Sequence, residues 1–167
     1  MTELVLPKID KTIINKKEYI FKKLAKLINP ENVLSHADEI KPYETDALAA
    51  YKQTPLAVVM PENTEEVSSI LKFCSDENIK VVPRGAGTGL SGGALPLQDA
   101  ILLSLGKFNK ILEIDFENKC VVTQPGVTNL GITDAVQHRD FYYAPDPSSQ
   151  LACSIGGNVA ENSGGVH

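Results

Sequence analysis

Two clusters of small residues carry the chemistry available to this chain. Of its twelve glycines, five lie between Gly85 and Gly93 and four between Gly156 and Gly165. The first cluster sits in Pro83-Arg-Gly-Ala-Gly-Thr-Gly-Leu-Ser-Gly-Gly-Ala94, where ten consecutive residues, Arg84 to Gly93, each keep a backbone N–H. Glycines allow such a segment to turn successive N–H groups inward, forming a concave nest for an anion. Arg84 adds positive charge, Thr88 and Ser91 add hydroxyls, and no acid occurs from Arg84 through Gln98. In a chain of net charge −5, that local absence points to phosphate. A glycine-rich surface loop without a ligand is the plainer alternative at this level.

The loop is not one of the two common phosphate motifs. Gly87, Gly89 and Gly92 match G-x-G-x-x-G, but the Rossmann version needs a helix to begin inside the motif, and here Gly93 and Pro96 follow. A P-loop ends in Gly-Lys-Ser or Gly-Lys-Thr, and no lysine occurs between Lys80 and Lys107. The second cluster belongs to Pro145-Asp-Pro-Ser-Ser-Gln-Leu-Ala-Cys-Ser-Ile-Gly-Gly-Asn-Val-Ala-Glu-Asn-Ser-Gly-Gly165, which has no charged residue from Pro147 to Ala160. Ser, Gln, Asn and Gly without charge suit a neutral heterocycle that needs hydrogen bonds and close backbone approach. Together the segments offer a pyrophosphate nest and a ring site, which implies a dinucleotide held outside the Rossmann scheme.

Regular elements must position these loops. Residues 16–28 place Ile20, Phe21, Leu24, Leu27 and Ile28 on one helical face, with Lys22, Lys23 and Lys26 turned away. That lysine face suits a solvated surface first, with an anionic membrane or a partner subunit as the alternative. Residues 31–53 show no clear period and read as a connector with a short helix. Leu56 to Met60 suits a buried strand. Asn63 then caps a helix with Glu66 at the capping-box position and Val67, Ile70, Leu71 and Cys74 as its buried stripe. Lys80 to Pro83 is the next strand, so residues 56–83 read as a βαβ unit with a parallel pair, and the glycine loop leaves the carboxyl end of its second strand. Residues 100–105, 111–116 and 120–124 read as a strand followed by a hairpin with Glu117, Asn118 and Lys119 at its tip. A helix over 128–138 carries Leu130, Ile132, Ala135 and Val136. Residues 144–154 read as loop, with Ser154 as the cap of a short helix from Ile155.

Composition narrows the function classes. With 43% hydrophobic and 22% charged residues the chain has the makings of a globular domain, and its acidic balance argues against nucleic acid as a partner. Residues 1–30 carry seven lysines against Glu3, Asp10 and Glu18, a local +4, which leaves −9 on the remainder. The longest apolar runs are far shorter than the roughly 20 residues that span a bilayer. Cys74, Cys120 and Cys153 form no CxxC pair and read as buried free thiols rather than a disulfide or zinc set. His36, His138 and His167 lack ligand spacing. The expectation is a cytoplasmic protein, or a peripheral one at the inner face of a membrane.

The paired loops resemble the two signatures of the flavin-binding domain of the vanillyl-alcohol oxidase (PCMH-type) superfamily, in particular its glycolate oxidase flavoprotein subunit and D-lactate dehydrogenase branch. The likeness runs over about Tyr43 to His167. The fold it implies is α+β: two α/β subdomains, a small βαβ-containing sheet plus the start of a second mixed sheet, preceded by the amphipathic helix. Residues 1–50 would be an N-terminal helical arm and connector, and 51–167 the amino-terminal part of the FAD-binding domain. The resemblance implies noncovalent FAD, with Arg84, Gly85, Ala86, Gly87, Thr88, Gly89, Leu90 and Ser91 wrapping its pyrophosphate. Pro145, Asp146, Ser148, Ser149, Cys153, Ser154, Gly156, Gly157 and Asn158 would run beside the ribityl chain and isoalloxazine. It also implies oxidation of a 2-hydroxy acid by hydride transfer to flavin, with a quinone, a cytochrome or a partner subunit receiving the electrons. A sugar-acid or lactone oxidase of the same superfamily is the neighbouring possibility. The family's cap domain supplies the substrate residues and metal ligands, so no residue here is nominated as catalytic or as a metal ligand. The chain ends in mid-element at Gly164-Gly-Val-His167, which reads as a truncated piece of a longer design, or as a non-catalytic remnant or split subunit that needs a second polypeptide.

Overall fold

The computed structural model describes residues 7–167, so the first six residues of the N-terminal arm lie outside the description. Four strands form one sheet: β1 (Val33–Leu34), β2 (Ala57–Val59), β3 (Lys80–Arg84) and β4 (Ala100–Ser104) stand in the order β1-β2-β4-β3. Both β2 and β3 run parallel to β4, with Val58 and Val82 each in register with Leu102. β1 pairs antiparallel to β2. The parallel orientation of β2 and β3 matches the expectation, but they are not neighbours, and residues 100–104 join this first sheet rather than the second layer. The reason lies in side-chain chemistry. Ala100-Ile-Leu-Leu-Ser104 is buried throughout and needs cover on both faces. β3 exposes Lys80 and contains Pro83, which has no N–H to give a second neighbour, so it belongs at an edge.

One face of the sheet packs on helices. Asp10 accepts from Thr12 N–H at 2.8 Å to start α1 (Lys11–Asn15), a turn the sequence pattern does not announce, and α2 (Lys17–Leu27) follows. Ile20 and Leu24 of α2 are fully buried with Ile70, Cys74, Ala57, Val59 and Ile101. Full burial of such a leucine contributes roughly 1.5–3 kcal/mol. In α4 (Thr64–Asp76), Asn63 caps by accepting from Glu66 N–H at 2.8 Å, while the Glu66 carboxylate accepts from Glu62 N–H at 2.9 Å. Leu71 departs from the expected stripe: it is 44% exposed, and Phe73 packs against the core instead. The opposite face, Val58 and Leu102, is covered by Ile40 of α3 (Ala37–Ile40), with Leu34 and Tyr43. The stretch 31–53 is thus the second wall of the sheet.

A second unit holds the hairpin β5 (Ile111–Asp115) and β6 (Cys120–Thr123), then α5 (Asn129–Val136) and α6 (Ile155–Ala160). Its described sheet is this antiparallel pair. Asp115 closes the tip by accepting from the Asn118 backbone at 2.9 Å and side chain at 2.7 Å. Thr128 and Ser154 cap the two helices. Cys74 and Cys153 are buried free thiols, and burial pushes Cys74 up to about 11. Cys120 is exposed, contrary to expectation, because it opens β6 next to the turn of a hairpin that has no third strand among the described residues.

Asp99, 2% exposed, ties the N-terminal arm to the sheet, accepting from Lys80 Nζ at 2.7 Å and Asp10 N–H at 2.6 Å. Burial pushes its carboxyl up, but these bonds and the lysine charge outweigh burial and hold it below the ordinary 3.8. A depressed carboxyl contributes stability that is present above the unfolded value and lost as pH falls through the folded one. Asp99→Asn is therefore expected to lose about 1–3 kcal/mol at neutral pH. Urea unfolding at pH 7 and at pH 3 checks this: the gap to wild type narrows at the lower pH, and an equal gap at both would refute it.

Candidate functional site

The glycine loop begins where β3 ends at Arg84 and faces the 147–164 segment across a cleft of about 450 Å³. The two walls touch. A Cβ on Gly85 would overlap Ser154 Oγ, so only glycine lets the loop lie against the cap of α6. Gly87 has φ +73°, and the space its side chain would take is filled by the Arg84 guanidinium. From Gly85 to Ala94, no backbone N–H is spent on a hydrogen bond to another described residue. Partly buried donors left free in this way need an acceptor from outside the chain.

The structure brings most of the expected residues together. Arg84 through Leu90 line one wall, and Ser148, Ser149, Cys153, Ser154, Gly156, Gly157 and Asn158 line the other. Ser91, Pro145 and Asp146 stand off the cleft surface. The Pro145 carbonyl accepts from Asn129 Nδ2 at 3.0 Å. Asp146 accepts from the His167 backbone N–H at 3.0 Å and meets its Nδ1 at 2.9 Å; those contacts hold its carboxyl below the ordinary range. Asn158 is buried, donating to Asn129 Oδ1 at 2.9 Å and accepting from Ser163 Oγ at 3.0 Å, so its amide braces the wall. The Arg84 side chain turns beneath the loop and donates to the Thr45 carbonyl at 2.7 Å.

Two contributors were missed by sequence reasoning. Glu161 lies in the cleft, its carboxylate oxygen 2.9 Å from where a Cβ on Gly93 would stand. Its spacing of one helical turn from Gly157, whose carbonyl accepts from Glu161 N–H at 2.9 Å, is the signal that could have found it. The other is the 44–48 turn, where Ala47 N–H donates to the Gly87 carbonyl at 2.9 Å; nothing in its local pattern announces that contact. Among the described residues, no cluster of three or more His, Cys, Asp or Glu side chains could hold a metal ion, and no helix is long and apolar enough to cross a membrane.

Free N–H groups on one wall can take an anionic group, and the charge-poor, glycine-bearing wall opposite can take a neutral, closely packed one. A family model described as FAD binding domain matches residues 55–167. The chain belongs to this FAD-binding family. It is 56% identical over 135 residues to glycolate oxidase subunit GlcD of Escherichia coli (strain K12), covering 81% of this chain and 27% of that protein. It is 36% identical over 167 residues to D-lactate dehydrogenase of Anaerostipes hadrus, covering 99% of this chain and 33% of that protein. The crystal structure of p-cresol methylhydroxylase with substrate bound superposes with a TM-score of 0.77 at 26% identity, over 96% of this chain and 32% of that one. The chain thus spans between a quarter and a third of these relatives, and its fold is that of PCMH-type FAD-binding domains.

Gly87→Val tests the loop geometry. A β-branched residue is strongly disfavoured at positive φ, and here it would also displace the Arg84 guanidinium. FAD affinity, followed by flavin fluorescence, is expected to fall at least roughly 100-fold, equivalent to about 3 kcal/mol of backbone strain. Unchanged affinity would count against the loop as the FAD site.

Proposed function

We propose that this chain is the FAD-binding portion of an oxidoreductase that oxidises a 2-hydroxy acid of the glycolate or D-lactate type, with the flavin held noncovalently. The observation that carries this reading is the loop whose backbone N–H groups are unspent and whose residues Gly85 to Leu90, Gly93 and Ala94 line a cleft opposite a charge-poor wall. The choice of substrate class draws support from the relatives, whose names specify glycolate and D-lactate.

In this reading the backbone from Gly85 to Ser91 holds the pyrophosphate, its N–H groups hydrogen-bonding the charged oxygens without a lysine. Ser148, Ser149, Cys153, Ser154, Gly156 and Gly157 offer hydroxyls and close backbone approach to the ribityl chain and ring. Pro145, Asp146 and Asn158 shape that wall from behind through Asn129 and His167. The flavin supplies the hydride acceptor. Residues 51–167 are the amino-terminal part of the flavin domain, 1–50 its helical arm and connector, and the groups that handle the hydroxy acid come from outside this chain. Electrons leave to a quinone, a cytochrome or a partner subunit, and the protein works in the cytoplasm or at the inner face of its membrane.

A second reading, a split subunit that works with another polypeptide, draws support from the apolar groove of about 410 Å³ between the β5–β6 hairpin and the helices, bordered by Ile114, Phe116, Val121, Phe141, Tyr142 and Val159. A two-stranded hairpin is marginally stable without further cover. Titrating the purified chain with FAD, by visible absorbance and flavin quenching, followed by glycolate and D-lactate, tests both readings. Saturable FAD binding without hydroxy-acid turnover is expected. Failure to bind FAD contradicts the first reading, and turnover by the chain alone contradicts the second.

A further inference from the structure

Residues 43–48 lie outside the matched span 55–167, yet they form the floor beneath the phosphate loop. The Arg84 guanidinium crosses to them, donating from Nη1 to the Thr45 carbonyl at 2.7 Å and lying 5.6 Å from the centre of the Tyr43 ring. Ala47 N–H returns a bond to the Gly87 carbonyl at 2.9 Å. Between these contacts sits Asp46, only 5% exposed. Its Oδ1 accepts from Leu48 N–H at 2.9 Å, but its Oδ2 is buried with no hydrogen-bond partner among the described residues. A buried carboxylate oxygen left in that state is costly unless its charge serves a neighbour. The cation that the fold brings to this turn is Arg84, whose Nη1 is bonded to the carbonyl of the adjacent residue Thr45; without a direct ion pair between them, the Asp46 charge still favours the half-buried guanidinium against the cost of its burial.

We propose that Asp46 is a positioning residue for the phosphate loop, acting through Arg84 to keep the guanidinium beneath Gly87 so that backbone N–H groups, and not the arginine, meet the phosphates. This rests on the reading of the loop as the FAD pyrophosphate site. It explains why an arginine at the mouth of an anion site is turned away from it. A guanidinium reaching into the cleft would leave Asp46 uncompensated and the left-handed turn at Gly87 without its support.

The test uses Asp46→Asn, which keeps the shape and removes the charge, Arg84→Met, and the double variant. Three readouts are followed: affinity for FAD at low and high salt, affinity for riboflavin, which has no phosphate, and hydrogen exchange of the Ala47 amide in the ligand-free chain. Asp46→Asn is expected to weaken FAD about tenfold, leave riboflavin unchanged and speed Ala47 exchange about tenfold, the scale of one buried charge-assisted interaction. Arg84→Met should do the same, by the same factor at low and high salt, and the double variant should lose no more than Arg84→Met alone. A loss shared equally by riboflavin, strictly additive losses, a loss at Arg84→Met that shrinks at high salt, or unchanged Ala47 exchange would overturn the proposal. If the wild-type chain bound no FAD, the functional reading would fall, and the exchange readout would still decide whether Asp46 acts through Arg84.

Discussion

The loop from Gly85 to Ala94 must be held at a cleft with none of its backbone donors bonded to the rest of the described chain, and eight of its ten residues, all but Ser91 and Gly92, line that cleft. Folding normally satisfies such groups in helices or ladders, because a buried donor without an acceptor costs about as much as a lost hydrogen bond. Keeping them free requires that the loop be held from its other side. Three contacts do so: the Arg84 guanidinium under Gly87, the Ala47 N–H on the Gly87 carbonyl, and the Gly85 backbone against Ser154. Each comes from a different part of the sequence, and the architecture serves to bring the three to one place.

The sheet makes that convergence possible. β4, buried throughout, is the rigid member, and β3 is carried along its edge so that its carboxyl end opens into the loop. Pro83 within β3 is compatible with an edge strand and not with the centre of the sheet. The side chains of β2 and β4 alternate between two clusters, Ala57, Val59 and Ile101 toward α2 and α4, Val58 and Leu102 toward Ile40 and Tyr43. Tyr43, half in this second cluster and half under Arg84, couples the core to the site. Packing of the connector is therefore part of how the loop is positioned.

Much of this was legible in the sequence because it rests on local chemistry. Glycine spacing, missing charges and the caps Asn63 and Ser154 act over a few residues, and a single chain displays them. What stayed hidden depends on long-range choices. The insertion of β4 between β2 and β3 follows from competition for the sheet centre, which no local window scores. Residues 31–53 looked aperiodic because, after the two-residue strand β1, they cover a sheet face with turns and short elements, Ile40 and Tyr43 each placing one apolar side chain there without a helical or strand repeat. Asp46 looked like one acid among many, because nothing local announces that Arg84, 38 positions away, comes to the carbonyl of the adjoining Thr45.

The choice of backbone donors over side-chain cations also accounts for the charge of the molecule. A lysine-based phosphate site works through long-range attraction, which a chain of net −5 would weaken and salt would screen. Backbone N–H groups act at contact distance, and each bond to a charged acceptor contributes about 1.5–3 kcal/mol. On the proposed reading, several such bonds would retain a pyrophosphate even with Glu161 exposed at the cleft, since the repulsion between two unit charges about 4 Å apart in water is only about 1 kcal/mol. The site therefore depends on shape more than on field, which is why glycines at Gly85 and Gly87, rather than any added cation, set its geometry.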